Sequence, residues 1–168
     1  MIRLVLGGDK SGKSAYGLAV FGQGPQPGVL LATGQAQDFS FRSQILDHRT
    51  ARMPEIPVRE TGAALVPALE EAAKQAGSIL VDSLDFWMFA CSGREAESAA
   101  ELTECLARLP RHVHITLVSC EAGLGAIPAS AEVRAFVRGL GALNQAVAAV
   151  SDEVCLVMAG LPLYLKRS

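Results

Sequence analysis

Residues Gly7-Gly8-Asp9-Lys10-Ser11-Gly12-Lys13-Ser14 fit the pattern G-x-x-x-x-G-K-[ST] in full. This constrains the fold more than any other stretch. The pattern works only between a strand and a helix, with glycines letting the backbone turn its N–H groups inward around a polyphosphate. The flanks agree. Ile2-Arg3-Leu4-Val5-Leu6 reads as a short buried strand, and Ser14 to Phe21 as the start of a helix. In such a loop Lys13 reaches the β- and γ-phosphates and Ser14 holds Mg²⁺, while the helix N-terminus adds positive potential.

Strands and helices then alternate. Strands are expected at Val29–Thr33, Glu55–Glu60, Ser78–Asp82, Val113–Ser119 and Val154–Met158. Helices are expected at Phe41–Arg52, Ala63–Gln75, Glu95–Leu109 and from an N-cap at Ser130 to about Val150. Gly160 to Ser168 reads as a tail. The pattern predicts one α/β domain over residues 1–168, a P-loop NTPase-type three-layer fold with a mostly parallel sheet. Half of the 168 residues are hydrophobic and 19% are charged, as suits strands covered on both faces. Ligands of such sheets gather at the carboxyl ends of the strands. Gly7–Ser14, Thr33–Asp38, Asp82–Asp85 and Cys120–Gly125 are therefore expected to converge.

Several classes are disfavoured. A net charge of −2 without a Lys/Arg cluster gives no case for nucleic acid. The longest uncharged stretches are broken by Gly, Pro and Gln, so no membrane span is expected, and the N-terminus reads straight into a strand with no basic and apolar leader. Cys91, Cys105, Cys120 and Cys155 contain no C-x-x-C, so reduced thiols in a cytoplasmic protein are expected. His112 and His114 alternate at a strand start and read as edge residues rather than ligands.

Asp82 ends the apolar run Ile79-Leu80-Val81, the usual place for the acid that orients the Mg²⁺ shell of a P-loop enzyme. His48 lies in Asp47-His48-Arg49-Thr50-Ala51-Arg52. A neutral imidazole can attack phosphorus, and Arg49 and Arg52 share one helix side. By local chemistry alone His48 reads as an ordinary surface histidine. Glu121 follows a strand in a glycine-rich loop and reads equally as a ligand contact or a solvated acid, and Asn144-Gln145 as a polar helix face.

Read in order, these segments resemble the bifunctional adenosylcobinamide kinase/adenosylcobinamide-phosphate guanylyltransferase family of cobalamin biosynthesis. The carriers are Gly7–Ser14, Ala32-Thr33-Gly34-Gln35-Ala36, Ile45–Arg52, Glu121–Pro128, Leu143-Asn144-Gln145 and Asp152–Leu163. The resemblance implies phosphorylation of adenosylcobinamide by a nucleoside triphosphate, ATP or GTP. It then implies transfer of GMP from GTP to adenosylcobinamide phosphate through a guanylylated histidine, which falls on His48. Nucleotide contacts carry over to Gly7 through Ser14, to Ala32, Thr33 and Gly34, to Arg49, Thr50, Ala51 and Arg52, and to Glu60 and Asp82. Lys13 and Asp82 join His48 as catalytic residues, Ser14 and Asp82 as Mg²⁺ ligands, and a homotrimer is implied.

This sequence departs from the family pattern in places. Phe39-Ser40-Phe41 lacks two acids, Asp85 replaces a hydroxyl residue, Cys120 replaces an asparagine, and Asp9 places a carboxylate within the phosphate loop. The alternative is a divergent paralogue that binds GTP or ATP but has lost one or both activities.

Overall fold

The computed structural model describes residues 1–34 and 56–167. Within them the order is β1 (Ile2–Gly7), α1 (Lys13–Phe21), β2 (Gly28–Ala32), β3 (Val58–Glu60), α2 (Leu65–Ala72) and β4 (Ser78–Asp82). There follow α3 (Leu84–Ala90), α4 (Glu95–Arg108), β5 (His114–Cys120), α5 (Ala131–Val150), β6 (Glu153–Met158) and β7 (Leu161–Lys166). The strands form one sheet in the order β3-β2-β4-β5-β1-β6-β7. All pairs are parallel except β6 with β7.

The strands are apolar on both faces because both faces are covered, and side-chain alternation divides them. Leu4, Leu6, Ile79, Val81, Ile115 and Leu117 point to one side, where α2 to α5 bury Leu65, Leu69, Trp87, Leu102, Leu106, Leu140 and Leu143 against them. Val5, Leu80, Val118, Cys155 and Val157 point to the other, against Tyr16, Leu18 and Phe21 of α1. These are the three layers expected.

Helix α5 buries Leu140, Leu143, Asn144 and Val147, a 3–4 spacing that makes one face. Its start is set by Ser130, whose hydroxyl accepts from the Val133 N–H at 3.4 Å. Helix α1 lies close to the sheet. A methyl group added at Gly17 would stand 2.8 Å from Cγ2 of Val118, so only glycine allows this approach.

Three expectations change. The supposed tail from Gly160 is strand β7, turned back by Ala159 and Gly160 at φ 51° and 78°. It is fastened to α1 by a 2.7 Å bond between the Tyr16 and Tyr164 hydroxyls. Helix α3 was not anticipated, because Leu84 to Ala90 is short and apolar almost throughout. The third strand begins only at Val58. The helix expected over 41–52 lies outside the described residues.

Candidate active site at the carboxyl edge of the sheet

The phosphate loop leaves β1 at Gly7 and enters α1 at Lys13. Lys10 and Gly12 take left-handed conformations, φ 54° and 94°, which curl the backbone between them. Gly12 also lacks room for a side chain, since a Cβ would lie 3.1 Å from Cα of Gly160. The Gly160 N–H donates to the Ser11 carbonyl at 2.8 Å, so the β6–β7 turn braces the loop from behind. Lys13 lies across the loop, its Nζ 3.2 Å from the Gly8 carbonyl. Asp9 and Lys10 are exposed. The Asp9 carboxylate therefore faces solvent, which removes the conflict its sequence position raised. The Ser11 Oγ is buried without a hydrogen-bond partner.

Register places the other exits beside this loop. Gly7 pairs with Cys120, Ala32 with Asp82, and Asp82 with Val118. The Glu121 N–H donates to the Gly7 carbonyl at 3.0 Å, tying the β5 exit to the phosphate loop. Asp85 on the first turn of α3 accepts the Cys120 N–H at 3.2 Å, tying the β4 exit to β5. Thr33 ties β2 to β4: its hydroxyl donates to the Ser83 carbonyl at 2.5 Å and accepts the Ser83 N–H at 3.0 Å. The four segments expected to converge do so over their described residues.

Ser14 and Asp82 meet as the motif requires. The Ser14 hydroxyl donates to Asp82 Oδ1 at 3.4 Å. Burial pushes the Asp82 carboxyl up to about 6; the nearby Asp85 charge adds to this, and the Ser14 hydroxyl and Lys13 oppose it. A carboxylate held out of water beside a second acid favours a cation. Hard oxygens from a serine and an aspartate are the donor set Mg²⁺ takes at phosphate sites. The residues present thus fit that ion.

Some assigned residues act differently from the simplest reading. Thr33 is fully buried and its hydroxyl is spent on Ser83, so it builds the site floor. Glu60 is exposed at the end of β3, opposite Ala32. Glu121 accepts the Gly123 N–H at 3.0 Å and shapes its own loop. His48, Arg49, Thr50, Ala51 and Arg52 lie outside the described residues.

Asn144 is not a polar surface residue. It is buried, accepts from the Ser119 hydroxyl at 2.7 Å and donates to the Cys120 carbonyl at 3.0 Å. It anchors the β5 exit from the helix layer. The sequence signal was present: Asn144 sits on the same face as Leu140, Leu143 and Val147. Arg134 was also missed; its guanidinium donates to the carbonyls of Pro128 and Ala129, at 2.8 and 2.6 Å, closing the far end of the β5–α5 loop.

Among the described residues no helix is long and apolar enough to cross a membrane. All four cysteines are free.

The chain is similar to known proteins along nearly its whole length. The family model described as cobinamide kinase / cobinamide phosphate guanyltransferase matches residues 3–165. The bifunctional adenosylcobalamin biosynthesis protein CobP of Pseudomonas aeruginosa is 34% identical over 168 residues, covering 97% of this chain and 96% of that protein. The CobU proteins of Salmonella typhimurium and Escherichia coli, also named as bifunctional adenosylcobalamin biosynthesis proteins, are 28% and 29% identical. Each comparison covers 99% of this chain and all of the relative. A KaiC-like protein from Pyrococcus horikoshii superposes with a TM-score of 0.55 at 13% identity, over 92% of this chain and 69% of that one, which shows a shared fold.

Proposed function

The chain belongs to the cobinamide kinase / cobinamide phosphate guanyltransferase family, and on that premise we propose that it phosphorylates adenosylcobinamide and then transfers GMP from GTP to adenosylcobinamide phosphate through His48. The observation that carries this reading is the meeting of Ser14 and Asp82 beside the phosphate loop, in a chain whose length matches the family almost throughout.

The loop Gly7–Ser14 holds the triphosphate by backbone N–H groups, and Lys13 neutralises its oxygens. Ser14 and Asp82 hold Mg²⁺, which supplies positive charge to the phosphate oxygens when bound. In the kinase step the acceptor hydroxyl forms a bond to the γ-phosphorus of ATP or GTP, and the nucleoside diphosphate leaves. In the transferase step a His48 nitrogen forms a bond to the α-phosphorus of GTP, and pyrophosphate leaves. A phosphate oxygen of the acceptor then displaces His48 and takes GMP. By family resemblance Arg49, Thr50, Ala51 and Arg52 contact the nucleotide, and the two arginines neutralise developing charge. Ala32, Gly34 and Glu60 border the nucleotide at the β2 and β3 exits. Family resemblance makes a homotrimer the expected assembly and the cytoplasm the expected compartment.

The test is covalent labelling with Mg²⁺ and GTP radiolabelled at the α-phosphate. The protein should retain label, and adenosylcobinamide phosphate should remove it. His48→Ala should abolish labelling with an unchanged melting temperature. Lys13→Ala should reduce it by about 100-fold or more, as loss of a donor to transition-state charge does. Equal labelling of wild type and His48→Ala would sink the histidine mechanism.

A further inference from the structure

The β5–α5 loop carries two large aliphatic side chains in open solvent. Leu124 is 73% exposed and Ile127 is 86% exposed. The loop is nevertheless well anchored. At its root Glu121 bonds Gly7 of the phosphate loop and Asn144 holds the Cys120 carbonyl. At its far end Arg134 grips the Pro128 and Ala129 carbonyls. Between the anchors, Gly123 and Gly125 flank Leu124, and a side chain added at Gly125 would meet nothing within 4 Å. An apolar tip is thus held out at the lip of the phosphate site.

Charge points the same way. Two carboxylates stand at the loop root: Asp85 accepts the Cys120 N–H and Glu121 accepts the Gly123 N–H. Two acids here disfavour a further anion on this side of the rim and favour a cationic ligand. That side suits an acceptor that is cationic and broad-faced. A cobalt(III) corrin carrying an adenosyl ligand has a net positive charge and wide hydrocarbon faces.

We propose that Leu124 and Ile127 form the apolar rest for the acceptor macrocycle, holding it while its arm enters the site. This rests on the reading of the acceptor given above. Burying one such side chain on binding contributes about tenfold in affinity or more.

The test is binding of adenosylcobinamide to the full chain loaded with a non-hydrolysable GTP analogue, read by the visible absorption of the corrin in equilibrium dialysis. Leu124→Ser and Ile127→Ser should each weaken corrinoid binding about tenfold. Affinity for the analogue and the oligomeric state by light scattering should stay within error. Leu124→Met and Ile127→Val should restore binding, which a general disturbance of the loop would not allow. Unchanged corrinoid affinity in both serine variants overturns the proposal. So does weakening that comes with loss of oligomer, since the tip would then pack between copies. Failure of the wild type itself to bind adenosylcobinamide would instead overturn the functional reading, and this proposal with it.

Discussion

The two faces of the sheet are built to different ends. On the α2–α5 face, one continuous cluster joins four helices to the sheet, with Trp87 and ten leucines at 1% exposure or less. On the α1 face the core is small: Val5, Cys155 and Val157 form one patch, and Phe21, Leu80 and Val118 another. Stability is concentrated where no phosphate binds. The face that carries the phosphate loop is held by close approach and a few polar ties: Gly17 on Val118, Tyr16 on Tyr164, and Gly160 on Ser11. A thin face leaves the loop shaped by glycine geometry rather than by filled volume. The trade is sensitivity, because small changes there alter ligand binding before they alter the fold.

This contrast can be broken from either side. The largest effect is expected on the thick face. Trp87→Ala leaves a cavity at a side chain 1% exposed and removes the donor to the Ala63 carbonyl, which lies 3.1 Å from the indole nitrogen. Urea unfolding should show a loss of about 3–5 kcal/mol. GTP affinity of the folded fraction should change little.

On the thin face, Gly17→Ala forces a methyl group against Val118. It should cost about 2 kcal/mol by overpacking and also weaken nucleotide binding, because α1 can yield only by carrying the phosphate loop with it. Unchanged GTP affinity at reduced stability would show that the two faces are equivalent supports.

The smallest effect has the opposite sign. The folded-state pKa of Asp82 is raised to about 6 from 3.8, so the folded protein holds a proton that the unfolded chain has lost. Wild-type stability therefore falls as pH rises from about 4 through 6, and the penalty is complete above that window. Asp82→Asn should stabilise the nucleotide-free protein by about 1–2 kcal/mol at pH 7.5 and by nothing near pH 4, after allowance for solvent relaxation. The same variant should lose Mg²⁺-dependent stabilisation by GTP. Melting curves with and without Mg²⁺·GTP at the two pH values test both halves.

Sequence and structure agree most closely where a signal is local. The phosphate loop is contiguous and its glycines have local backbone reasons. The strands β1, β4 and β5 read clearly because burial on both faces leaves short, largely apolar runs. The long helix α5 declared itself by the Ser130 cap. Signals that need a partner were not legible. Strand β7 alternates leucine with Pro162, Tyr164 and Lys166 and exposes Leu161, Leu163 and Leu165, so nothing in its own pattern separates it from a tail. Only pairing with β6 makes it a strand.

By itself, the sequence determined the class of sheet, the place of the phosphate loop and the acid Asp82, because each depends on residue type and short-range spacing. The tertiary structure alone decided how the strand exits are joined: Thr33 to Ser83, Asp85 to Cys120, Glu121 to Gly7, and Asn144 beneath β5. It also decided that Asp82 is buried enough to be reluctant to ionise, and that Leu124 and Ile127 stand in solvent at the site's edge. The physical reason is the same throughout. Hydrogen-bond partners, desolvation and exposure are properties of neighbours in space, and these neighbours lie some twenty-five to one hundred and fourteen residues apart in the chain.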